Sequence, residues 1–92
     1  MKHKLKIWPG LIGPIATGAQ TFEIRKNDRD FKVGDVLSLE EYQPVTGRYT
    51  GDDIEVKVTY ILHIDGFPGF PSGFVGMSIE MQPAADGAGK EE

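Results

Sequence analysis

Gly18-Ala19-Gln20-Thr21-Phe22-Glu23-Ile24-Arg25-Lys26-Asn27-Asp28-Arg29-Asp30 is the stretch on which the reading of this chain turns. Gly18 suits the left-handed position that closes a helix. From Thr21 to Lys26 the side chains then alternate, Phe22 and Ile24 against Thr21, Glu23 and Arg25, with the period of two of a β-strand. Glu23 and Arg25 therefore stand about 7 Å apart on one face. Glutamate accepts hydrogen bonds and arginine presents a planar fork of donors, a pairing that suits a nucleobase edge or a phosphate, with the Thr21 hydroxyl beside it. The same spacing also fits a structural ion-pair network on a solvated sheet face. Asn27, Asp28 and Asp30 lack the glycine and closing glutamate that a calcium loop requires at fixed offsets, so they read as a solvated turn.

Upstream, Lys4 and Lys6 alternate with Leu5 and Ile7, which predicts a strand over Lys2–Trp8. Leu11, Ile12, Ile15 and Ala16 have helical spacing, but Gly13 and Pro14 sit among them, so a short helix is placed from near Pro14 to Gly18. Downstream, Gly34-Asp35 turns the chain into a strand over Val36–Tyr42. Pro44, Gly47 and Gly51 mark 43–53 as a hairpin loop. Ile54, Val56, Val58, Tyr60 and Leu62 then share one face of a long strand over Ile54–Ile64, and Val75, Met77, Ile79 and Met81 alternate in a last one. The Gly- and Pro-rich run 65–73 is a loop whose Phe67 and Phe70 are expected to cap the barrel end, since exposed phenylalanines on a monomer cost solubility. The expected fold is α+β, mainly β: about five strands curled into a small barrel, with one or two short helices. One domain covers 1–82, and 83–92, without an apolar anchor, reads as a disordered tail.

Composition narrows the function classes. Ninety-two residues suffice for one core, for which five Phe, three Tyr and one Trp supply bulk. Without cysteine there are no disulfides and no thiolate zinc site, which fits a reducing compartment. His3 and His63 are expected to be exposed strand residues, and no metal or cofactor is implied. There is no apolar run long enough for a membrane span and no signal-like N-terminus, so a cytoplasmic protein is expected; the oligomeric state is left open, with a monomer favoured. The net charge of −4 argues against a general nucleic-acid binder. Yet residues 1–32 hold seven Lys or Arg against three Asp or Glu, net +4, leaving −8 for the remainder. A local basic patch is compatible with that asymmetry.

The pattern Gly18-x-Gln20-x-x-Glu23-x-Arg25 resembles the ASCH signature Gly-x-Lys-x-x-Glu-x-Arg, in which a helix leads into a strand, and the Val33-Gly34-Asp35 turn fits the same PUA-like plan. With Thr21–Phe31, Glu41-Tyr42, Thr46-Gly47 and Val58–Leu62, the chain looks like a small bacterial and phage family of unknown function related to ASCH domains, over about residues 3 to 81. The resemblance implies a PUA-like barrel with a cleft beside the motif strand for RNA or nucleotide-like ligands, and it carries Glu23 and Arg25 over directly. Gln20 replaces a lysine that acts catalytically in some ASCH-like hydrolases of acylated cytidines; glutamine hydrogen-bonds but is neither base nor nucleophile.

Three functions follow as expectations. The first is an RNA- or nucleotide-binding module using Gln20, Thr21, Glu23, Arg25, Lys26, Asn27 and Arg29. The second is a hydrolase of a modified nucleoside, for which Glu23 would be acid or base and the nucleophile is unidentified. The third is a protein-interaction or phage accessory factor, served by an acidic surface and a Phe-rich loop. Trp8, beside Pro9, is the aromatic residue best placed to line a cleft near the helix.

Overall fold

The computed structural model describes residues 1–82; the segment 83–92, read above as a tail, lies outside the described residues. In chain order the elements are β1 (Lys2–Ile7), α1 (Ile12–Thr17), β2 (Phe22–Lys26), β3 (Val36–Gln43), β4 (Arg48–His63) and β5 (Phe74–Met81). All five strands form one sheet in the order β1-β3-β4-β5-β2, with β1 parallel to β3 and the other neighbours antiparallel. The fold is mainly β with one short helix, as the sequence predicts. The sheet curls until its two edge strands face each other, and there side chains bridge them: Arg25 Nη2 donates to the Lys6 carbonyl at 2.7 Å and Arg29 Nη1 to the Lys4 carbonyl at 3.2 Å. We call this junction of β1 and β2 the seam.

Leu5 and Ile7 of β1, Leu37 and Leu39 of β3, Ile54, Val56 and Val58 of β4, and Val75, Met77 and Ile79 of β5 fill the concave side with Phe31, and Ile15 of α1 packs against them. The helix starts two residues before Pro14. It can do so because Pro14 lies in the first turn, where a backbone N–H has no intrahelical acceptor to lose. Gly18 ends it at φ 83°, its N–H bonded to the Ile15 carbonyl. A Cβ there would meet nothing within 4 Å, so the cost of a side chain is conformational alone. Gly18→Ala is expected to lose about 1 kcal/mol in urea denaturation, and Gly18→Asn less, because asparagine tolerates the left-handed region; equal losses would contradict a purely conformational origin.

Four local expectations are corrected. Residues 48–53, assigned to a loop, belong to β4, because the β3–β4 ribbon continues beyond an irregularity between Glu40 and Tyr42 to pair Tyr42 with Tyr49 and Gln43 with Arg48. The face shared by Ile54 through Leu62 is broken: Val58 pairs Ile79 and Tyr60 pairs Ser78, so Thr59 is an extra residue. This β-bulge shifts the phase by one, which sends Ile61 toward the core and Tyr60 and Leu62 outward. Phe67 and Phe70 do not cap the barrel end; they remain exposed beside the outer face of the sheet. Finally, His3 is buried, with Nε2 2.8 Å from Asp35 Oδ2 and its ring edge-on to Phe31 at 5.0 Å. His63 is exposed as expected.

Candidate functional site

The strand β2 turns its polar residues inward. Glu23 is only 8% exposed, whereas Phe22 and Ile24 lie on the outer surface. A buried carboxylate needs a partner, and Arg25 supplies it: its Nε donates to Glu23 Oε2 at 2.6 Å while its Nη2 reaches across the seam to β1. One guanidinium thereby neutralises a buried acid and holds two strands together. No donor reaches Glu23 Oε1 among the described residues, so that atom retains acceptor capacity toward a ligand.

Two clefts flank Arg25. The first, about 530 Å³, runs along the seam and is lined by Lys4, Lys6, Arg25, Lys26 and Arg29 against Asp28 and Glu40, with Tyr49 at its margin. The Lys6 ammonium sits 4.2 Å over the Tyr42 ring, which meets Tyr49 edge-on at 5.2 Å, so the extended β3–β4 ribbon brings an aromatic pair to the basic groove. The second cleft, about 440 Å³, opens between the start of α1 and β2; Trp8 and Leu11 line one part of it, Glu23, Ile24 and Arg25 another, and Lys6 and Lys26 border both clefts. Together they offer cations for an anion, an exposed indole for a flat ring and a buried carboxylate for N–H donors.

Of the residues to which the sequence points, Glu23, Arg25, Lys26 and Arg29 meet here. Gln20 and Thr21 do not. They border a separate cavity of about 70 Å³ beside Ile15, Val56 and Ile79, and the Gln20 amide donates to the Phe22 carbonyl at 2.9 Å. Asn27 is occupied with the turn: its Oδ1 accepts the Phe31 N–H at 3.0 Å and its own N–H bonds the Gly73 carbonyl. Lys4, Lys6 and Tyr49 join the site without a local sequence signal that would place them there. The lysines form an outward stripe that the alternation of β1 displays, but their proximity to β2 depends on curling of the whole sheet. Among the described residues, no group of three His, Cys, Asp or Glu side chains is arranged to hold a metal, and no helix is long and apolar enough to cross a membrane.

Comparison with known proteins gives three findings. The profile of a family described as a domain of unknown function, DUF3850, matches residues 2–79. The uncharacterized 12.9 kDa protein in the GpA 3′ region of Escherichia phage P2 is 33% identical over 57 residues, 62% of this chain and 50% of that protein, so the chain spans about half the length of the curated relative it matches. The crystal structure of hypothetical protein PH0355 is similar with a TM-score of 0.62 at 21% identity, over 89% of this chain and all of that one. That likeness speaks to the fold alone.

Proposed function

The chain belongs to the DUF3850 family, and from that premise we propose that it is an ASCH-related, PUA-like module that holds RNA or a nucleotide along the seam between β1 and β2. The observation that carries this reading is the charge of the groove: five Lys or Arg line it against two acids, in a chain whose net charge is −4. Phosphates lie along Lys4, Lys6, Lys26 and Arg29, and a base stacks on Trp8 with its N–H groups directed to Glu23. The acidic remainder of the chain keeps binding weak, and the phosphates neutralised by the groove cations make it salt-dependent. The hydrolase reading gains nothing from Gln20, whose amide is committed to the backbone away from both clefts.

Trp8 is the only tryptophan, so its fluorescence reports the second cleft without labelling. Titration with nucleotides and short RNAs at low salt is expected to quench it and to shift amide resonances of β1 and β2. In Lys6→Ala/Lys26→Ala, affinity for single-stranded RNA falls on the order of tenfold, and the dependence of log K on log salt becomes shallower by about 0.7 for each phosphate that the variant no longer neutralises. Silent fluorescence and silent resonances across the panel would overturn the proposal.

A further inference from the structure

Beyond the seam, the outer face of β2, β5 and β4 carries a feature that nucleotide binding does not use. Its rows are given by the strand register: Phe22, Ser78 and Tyr60 lie abreast, and Ile24, Gly76 and Leu62 in the next row. The small residues of β5 make a trough, the large ones of β2 and β4 its two walls, and Phe67 and Phe70 complete a groove of about 400 Å³ with no charged residue in its lining. The walls stand two strand spacings apart, roughly 9–10 Å, wide enough for one ridge of side chains.

We infer that this face is the contact between two copies of the chain. Phe22, Ile24, Tyr60, Leu62, Phe67 and Phe70 are each 43–59% exposed. At about 200 Å² for a fully exposed large side chain, they present roughly 600 Å² of apolar surface, the upper limit for a monomer. Standard interfaces bury about 800 Å² per partner, so this patch with a modest polar rim meets the requirement. Shape and charge select a second copy as the occupant. A trough beside ridges of matching width is self-complementary: under a two-fold axis each copy's ridge enters the other's trough, as an isologous contact requires. An uncharged face is also where two molecules of net charge −4 approach without setting acid against acid. The solubility cost of exposed phenylalanines on a monomer, from which a barrel cap was expected, argues for a partner once Phe67 and Phe70 stand in the open.

Sedimentation velocity on the full chain, from micromolar to submillimolar concentration, is expected to show a species of twice the chain mass. Leu62→Glu places a charge in the trough wall of each copy and is expected to raise the dimer dissociation constant at least a hundredfold, with an unchanged circular dichroism spectrum because the side chain is exposed. Val45→Glu, at a fully exposed turn between β3 and β4, is expected to dimerise like the wild type. A wild-type protein of single-chain mass throughout, or a Leu62→Glu protein that dimerises as well as the wild type, overturns the inference.

Discussion

Asp35→Ala is expected to remove about 3–5 kcal/mol of folding stability, a large share of what a domain of this size has to lose. The carboxylate is the hub of the first turn into β3. Its Oδ2 lies 2.8 Å from His3 Nε2 and accepts the Lys32 N–H at 3.0 Å, and its Oδ1 lies 3.2 Å from the amino group of Met1. Alanine strands a buried imidazole and a partly buried amide at once, each without a substitute acceptor. Equilibrium urea denaturation measures the loss, and a change below about 1 kcal/mol would show that water or a rearranged His3 replaces the carboxylate. The same group sets an acid limit. Burial pushes its pKa up, but the hydrogen bonds from His3, the Lys32 amide and the terminal ammonium outweigh that and hold it below the usual 3.8. A folded value below the unfolded one means that the contribution is complete above about pH 4 and is lost as pH falls through the folded value. Stability curves of the wild type and Asp35→Asn are therefore expected to converge as the pH falls below about 4; parallel curves would assign the acid sensitivity to other carboxylates.

The second large effect is expected at Arg25. Arg25→Ala leaves Glu23 buried and uncompensated and frees the Lys6 carbonyl, for a loss of about 2–3 kcal/mol. Lysine does not rescue it, because a point charge on a flexible stem cannot hold the carboxylate and the carbonyl with separate planar donors. Adding Glu23→Gln to Arg25→Ala is expected to recover part of the loss, since the stranded charge disappears while the open seam remains. A double variant no more stable than Arg25→Ala alone would mean that the bridge to β1, and not the buried acid, carries the energy. Amide exchange of β1 and β2 in Arg25→Ala, measured against the β3–β4 pair, separates local opening of the seam from global destabilisation.

Sequence periodicity discloses the strands and the helix because each buries one face, and Gly18 marks the helix end because few other residues accept its φ. Periodicity does not say which of two alternating faces is inside. In β2 the apolar residues are the obvious choice for the core, yet Glu23 occupies it because Arg25 accompanies it and compensates its charge. The bulge at Thr59 is hidden for a related reason: apolar residues continue at every second position through Leu62, and only the partner strand reveals that one residue has been skipped. His3 reads as exposed because its acceptor is 32 positions away, and 48–53 reads as loop because a ribbon solvated on both sides has no apolar stripe. Arg25, Lys26 and Arg29 are legible as one basic cluster. Lys4 and Lys6 join it only through the curvature of the sheet, a property spread over every strand pair and encoded at no single position.

The unpaired residue in β4 makes the outer face a matter of register. Tyr60 and Leu62 reach the outer surface through the insertion at Thr59, with no change in their own identity. Removing Thr59 would leave Tyr60 opposite Ser78 and Leu62 opposite Gly76, still outward; what would turn both inward is a slip that pairs Thr59 with Ser78 and Tyr60 with Met77. The outer apolar face thus depends on where the ladder leaves a residue unpaired as much as on which large side chains compose it.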